Sequence, residues 1–176
     1  MLTPEPYFRR IDLDLIYPPF LMAALETIDE CLKAGATYSA QSGFRDFAAQ
    51  NRLYAQGRTT PGHIITKAHG GESAHNFGLA IDFVRNLSPD PEHVIPDWKE
   101  SDYNTLGAAA KAHQLAWGGD FADPDRPHIQ WLTYISKDDL APLRALHQLK
   151  WEGDLQWLHR IWAEIDRRRA EAAAVA

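Results

Sequence analysis

The sequence predicts one domain that mixes α-helices with short β-strands, and three observations carry that reading. Its 176 residues suffice for a single substantial core and are too few for two. Apolar residues recur at helical spacing in several stretches, as in Leu21, Ala24, Leu25, Ile28, Cys31 and Leu32. Between the helical stretches lie short apolar runs of strand length, bounded by glycine, proline and aspartate.

Residues 1–17 read as an irregular arm carrying Tyr7, Phe8, Ile11, Leu13 and Ile16. Pro18-Pro19 opens a helix from Phe20 to about Lys33, since proline is tolerated in a first turn, and Gly35 stops it. Residues 37–42 form a strand, and Asp46 caps a second helix from Phe47 to about Gly57. The glycine-containing stretch 57–72 is a long loop, of a kind that tends to be functional in a compact domain. Leu79 to Arg85 is a strand; Pro89, Pro91 and Pro96 then make residues 86–97 an irregular excursion. A helix follows from about Ser101 to His113, with Leu106, Ala109, Ala110 and His113 inward. Strands at 115–117 and 128–132 complete the set, the first ended by Gly118-Gly119. From about Ser136 the pattern gives two helices, one near 137–150 and one from Asp154 to the alanine-rich end. Trp151, Trp157, Leu158, Ile161, Trp162 and Ile165 stripe the second. No linker sets residues 136–176 apart, so they are expected to pack as a helical extension on a domain of residues 1–135.

The chain carries 24 acidic and 18 basic side chains, a net charge of -6. That balance argues against nucleic acid or an anionic membrane as partner. No apolar run approaches the ~20 residues of a membrane span, so stable insertion is not expected. Cys31 is the sole cysteine and forms no internal disulfide. Met1 to Pro6 lacks a basic segment followed by an apolar one, so the chain is expected to stay in the cytoplasm or to be exported by machinery the sequence does not display. Arg167-Arg168-Arg169 reads as a solvated helix end that complements the helix dipole; the alternative is a membrane or cell-wall contact.

Chemistry concentrates in Ser73-Ala74-His75-Asn76-Phe77-Gly78-Leu79-Ala80-Ile81-Asp82-Phe83. A loop presents His75, Gly78 lets the backbone turn, and a strand presents Asp82. Ile81 and Phe83 flank Asp82, so alternation buries those two and aims the carboxylate at the opposite face. Imidazole and carboxylate are both zinc ligands; His128 is the candidate third, leaving a fourth position for water. Asp125, three residues before His128, is a candidate general base, or merely a cap on the turn before Pro127. Arg45 ends a strand where a guanidinium can hold a carbonyl or its oxyanion; the alternative is a surface salt bridge with Asp46 or Glu72. Ser73 either bonds substrate or caps the turn before His75. Trp117 and Trp131 read as core walls, and His63, His69, His93, His113, His147 and His159 as structural or surface residues.

Five motifs then occur in a telling order. They are Ser42-Gly43-Phe44-Arg45; Gln50 to Gly57-Arg58; Gly70-Gly71-x-Ser73-x-His75-Asn76-x-Gly78-x-Ala80-Ile81-Asp82-Phe83; Trp117-Gly118-Gly119-Asp120; and Pro127-His128-x-Gln130-Trp131. Over residues 20–132 the chain resembles the zinc D-alanyl-D-alanine carboxypeptidase and L-alanyl-D-glutamate endopeptidase family, most of all its phage endolysin branch. The resemblance implies an α+β fold like that of the hedgehog signalling domain, with a small antiparallel sheet carrying the zinc site and helices packed against it. It implies one zinc per chain on His75, Asp82 and His128. Asp125 is then the catalytic base, Arg45 the group that holds the carbonyl, and Ser73 a substrate-side residue. Phe44 stands where tyrosine is common and Phe121 where tryptophan often follows. The aspartate base favours the endolysin branch, because carboxypeptidase and dipeptidase relatives often use glutamate.

The function so implied is hydrolysis of the L-Ala-D-Glu bond of peptidoglycan stem peptides by a monomer, causing host lysis. With no separate wall-binding domain expected, this suits an enzyme that waits in the cytoplasm and reaches the periplasmic wall once a holin opens the inner membrane. The competing readings are a D-Ala-D-Ala carboxypeptidase or dipeptidase, and a zinc-stabilised wall-binding module that does not cleave. A serine hydrolase on Ser73 and His75 is a remote further one.

Overall fold

The computed structural model describes residues 2–131 and 155–175. The helix expected over 137–150, Trp151, His147 and the boundary near residue 136 lie outside the described residues. The elements in order are α1 (Pro18–Lys33), β1 (Tyr38–Ser42), α2 (Phe47–Ala55), β2 (Ala80–Asn86), β3 (Pro96–Asp97), α3 (Asn104–Ala112), β4 (Ala116–Trp117), β5 (His128–Gln130) and α4 (Leu155–Val175).

The strands form one antiparallel sheet in the order β1-β2-β5-β4, with β3 paired to β2. This is the α+β architecture that the resemblance implies. Alternation along β2 does what the sequence predicts: Ile81 and Phe83 are fully buried, while the Asp82 side chain keeps 25% of its surface exposed. Ile81, Phe83 and Ile129 share one core with Phe20, Ala24 and Ile28 of α1 and Leu106 and Ala110 of α3. The register sets Asp82 opposite His128 on one side and Ser42 on the other. A bulge between Ala40 and Ser42 shifts the register of β1 at that point, three residues before Arg45.

Local chemistry explains the helix ends. Asp46 caps α2 as expected, its carboxylate accepting from the Ala49 N–H at 2.6 Å. Ser73 and Asn76 close a capping box around a 3-10 turn, Ala74–Phe77, and Gly78 ends it at φ 68°. A β-carbon at Gly78 would fall 2.2 Å from the Leu15 carbonyl oxygen, so glycine is required twice over.

Three expectations need correction. Residues 86–97 are not wholly irregular: Pro96–Asp97 pairs with Arg85 and Asn86, and proline is admissible because the strand is an edge. The helix expected from Ser101 begins as a 3-10 turn over Glu100–Tyr103 and becomes α-helical only at Asn104. His113 does not turn inward; it lies beside α1, with ring nitrogens 3.3 Å from Glu26 and 3.0 Å from Glu30.

Helix α4 packs on the sheet domain at the turn that bears His75. Trp162 donates its indole N–H to the Phe77 carbonyl at 2.9 Å, and Trp157 stacks on the Phe77 ring. Tyr17 donates to the Asp166 carboxylate, and Arg169 lies 5.1 Å above the Trp131 ring.

Candidate active site

The structure brings His75, Asp82 and His128 together, with ligand atoms all within 4.8 Å of one another. Each arrives on a different device: the 3-10 turn, the middle of β2 and the start of β5. His75 and His128 are almost fully buried.

The second nitrogen of each imidazole shows what the first is for. His75 Nδ1 lies 2.6 Å from the Gly43 carbonyl oxygen, which can only accept. Nδ1 therefore carries the hydrogen, and Nε2 turns its lone pair to Asp82 Oδ1 at 3.2 Å. His128 reverses the roles: Nε2 donates to Gln130 Oε1 at 3.0 Å, and Nδ1 faces Asp82 Oδ1 at 2.9 Å. Two inward-facing imidazole nitrogens and a carboxylate thus converge on one point. Such a donor set is complementary to a cation, and the outward hydrogen bonds are the usual supports of metal-bound histidines.

The titration tendencies express the same demand for positive charge. Burial would raise Asp82, yet the facing histidines hold it well below the usual carboxylate range. Burial would lower His128, yet Asp82 outweighs it and raises the imidazole above its ordinary value. A nitrogen–oxygen donor set of this kind fits zinc.

Arg45 is not on the surface with Asp46 or Glu72. Its Nη1 donates to Gln50 Oε1 at 2.9 Å and its Nη2 to Ser42 Oγ at 2.8 Å, which places the guanidinium 3.6 Å from Asp82 Oδ2. Gln50 is completely buried and also donates to the Ala68 carbonyl and the Thr66 hydroxyl, tying the 57–72 loop to α2. Lys67 links that loop to Asp123, two residues before Asp125. Asn76 accepts from the Gly71 and Ser73 N–H groups and donates to the Arg45 carbonyl, joining three segments around the site.

Asp125 makes main-chain bonds on both sides: its N–H donates to the Gly118 carbonyl and its carbonyl accepts from the His128 N–H. A β-carbon at Gly118 would sit 2.1 Å from that Asp125 carbonyl oxygen, so the glycine lets the loop close down. Burial, then the Asp82 charge, pushes the Asp125 carboxyl above its ordinary value, against the pull of His128, His75 and Arg45. A carboxylate poised above its normal range beside a cation site suits proton transfer. Ser73 caps the turn, its hydroxyl accepting from the His75 N–H at 3.4 Å, and the residue stays partly exposed beside the site.

Sequence reasoning did not single out Gly43, Gln50 or Gln130 for these roles. Gln130 had a usable signal, since it lies two residues after His128 on the same strand face. Gln50 had a weaker one, a polar side chain among the apolar residues of a short helix.

Of three comparisons with known proteins, the first two bear on this site. A family model described as D-alanyl-D-alanine carboxypeptidase matches residues 66–131, the stretch holding all three ligand candidates and Asp125. The peptidoglycan L-alanyl-D-glutamate endopeptidase CwlK of Bacillus subtilis (strain 168) is 36% identical over 132 residues, covering 68% of this chain and 78% of the relative. The crystal structure of the Serratia marcescens L-Ala D-Glu endopeptidase ChiX aligns with a TM-score of 0.47 at 22% identity, over 67% of this chain and 81% of that one.

Proposed function

The chain belongs to the M15 peptidase family, and on that footing we propose that it is a zinc endopeptidase hydrolysing the L-Ala-D-Glu bond of peptidoglycan stem peptides. One observation carries the reading. Two imidazole lone pairs and the Asp82 carboxylate converge, with a fixed guanidinium and a carboxyl of raised pKa beside them.

His75, Asp82 and His128 would hold the zinc, which would supply a Lewis acid for the scissile carbonyl and would lower the pKa of a water from ~15.7 toward ~7. Asp125 takes the proton of the attacking water and returns it to the leaving amine. Arg45, held by Gln50 and Ser42, binds the substrate carbonyl and stabilises the charge that develops on its oxygen. Ser73 keeps a half-buried hydroxyl beside the His75 turn, and we assign it, with Arg45, to substrate binding. The protein acts as a monomer with one zinc per chain.

The description of the matching family model favours a second reading, removal of terminal D-alanine. Digestion of purified sacculi followed by mass spectrometry separates the two. New amino-terminal D-Glu is the expected product; release of D-Ala alone would move the protein to the second reading. Asp125→Asn should still bind one zinc and cleave nothing, which distinguishes an enzyme from a wall-binding module. The lytic role belongs to the same proposal. Expression in the bacterial cytoplasm together with a holin should clear the culture, and expression alone should not.

A further inference from the structure

A cavity of about 340 Å³ opens at the β1 edge of the sheet, and the mechanism above makes no use of it. The N-terminal arm lines it with Tyr7, Arg9 and Arg10, β1 with Ser39, and the loop before β3 with Glu92 and His93. Arg9 Nη2 lies 2.9 Å from Glu92 Oε2, so an ion pair ties the arm to the loop and answers the Arg9 charge. Arg10 is exposed; its Nη1 donates to Gln41 Oε1, and it makes no ion pair among the described residues. The Tyr7 hydroxyl and the exposed His93 ring have no partner among those residues either. The wall therefore combines three polar groups with hydrogen-bonding capacity to spare and the apolar surface of Tyr7 and two prolines. That mixture suits an uncharged ring with hydroxyl groups on its rim and C–H bonds on its faces.

The sheet sets where this cavity lies relative to the metal-ligand candidates. Ser39 pairs with Val84, which stands two residues beyond Asp82 on the same face of β2, about 7 Å along the strand. Asp125 precedes β5, which lies on the far side of β2 from β1. A base that returns its proton to the leaving amine marks the amine side of the scissile bond. The alanyl side then runs the other way, toward β1. In peptidoglycan a lactyl group joins that alanine to an N-acetylated amino sugar, and the alanyl and lactyl units together span about 7 Å when extended. We propose that the cavity binds this sugar. Arg10 donates to the acetamido oxygen, Tyr7 and His93 meet the ring hydroxyls, and the apolar wall covers a C–H face. The inference rests on the reading of the chain as an L-Ala-D-Glu endopeptidase with Asp125 as base. It makes the stem peptide still attached to its glycan, rather than a released peptide, the preferred substrate.

The test uses the zinc-loaded full chain and three synthetic substrates that share one tetrapeptide stem. The first has a free amino terminus, the second an N-lactyl cap, and the third the complete N-acetylmuramyl group. The lactyl peptide removes the terminal charge without adding a sugar, so comparing it with the muramyl peptide isolates the ring. The muramyl peptide should have a kcat/KM about tenfold above the lactyl one, mainly through KM. In Arg10→Ala and in His93→Ala that ratio should fall toward one; both residues are exposed, so neither change opens a hole in the core. Equal kcat/KM for the muramyl and lactyl peptides in the unaltered protein would overturn the proposal and leave the endopeptidase reading standing. A preference that survives both substitutions would overturn it too. Cleavage of none of the three would overturn the endopeptidase reading, and this proposal with it.

Discussion

Gln130 Oε1 accepts a hydrogen bond from His128 Nε2 at 3.0 Å, and this contact decides which nitrogen of His128 faces Asp82. Both side chains are buried, so no water stands ready to replace the amide. Gln130→Leu keeps the bulk and removes the acceptor. The tautomer and ring angle are then unheld, and zinc affinity should fall about 10- to 100-fold. Competition titration with a chromophoric chelator measures it; unchanged affinity would show that the amide has no part in the site.

Arg45 is gripped at two nitrogens, by Gln50 and by Ser42. Arg45→Lys retains the charge and loses the fork, so an ammonium cannot make both bonds and still face the carbonyl. The expected outcome is a fall in kcat of about 100-fold, with zinc stoichiometry unchanged. Steady-state kinetics beside metal analysis would reveal a larger loss of zinc than of turnover if Arg45 served the metal site instead.

The tryptophan-rich helix α4 supports the turn that carries His75. Trp162→Phe keeps the ring packing and removes the N–H that Phe77 carbonyl accepts. Losing that hydrogen bond should cost about 0.5–1.5 kcal/mol. In a chain of this size that corresponds to a fall in Tm of roughly 1–6 °C. Calorimetry with and without zinc checks it. A wild-type Tm would mean that the helix merely covers the turn.

Alkaline pH offers an independent check of that interface. Burial, and then the hydrogen bond to Asp166, pushes the Tyr17 phenol up to about 12 from an ordinary value of 10.0. Burial does the same to Tyr38. Between these values the unfolded chain has lost protons that the folded one keeps, so stability falls as pH rises. The stabilisation is complete below pH 10 and is lost toward pH 12, at about 1.4 kcal/mol per unit for each fully shifted group. Urea unfolding at stepped pH should show this decline, and Tyr17→Phe should make it shallower. An identical slope in the variant would contradict the assignment.

The ligand trio was legible because Ile81-Asp82-Phe83 announces a carboxylate on the open face of a strand. The sheet register, which the sequence does not state, then set it opposite His128. The residues around the trio were legible in unequal measure. Gln130 follows from strand parity, whereas the partner of His75 is a main-chain carbonyl, Gly43, that any residue type would supply. The place of Arg45 depends on Ser42 and on Gln50, which reaches it from the next helix. The two-residue strand at Pro96 exists only because β2 offers it an edge, which no local pattern encodes. The buried face of α1 takes in Phe20, Ala23 and Thr27 and leaves Leu21 and Leu32 partly exposed. The N-terminal arm, with Phe8, Ile16 and Tyr17 buried in the same core, makes contacts that periodicity alone does not place.

The measurement that bears most directly on the central claim is a zinc titration of the metal-free protein, read by cleavage of purified sacculi. Activity should be absent after chelation, rise in proportion to added zinc and level off at one equivalent, with D-Glu as the new amino terminus. Full cleavage by the chelated protein, or zinc binding at one equivalent with no cleavage, would contradict the account.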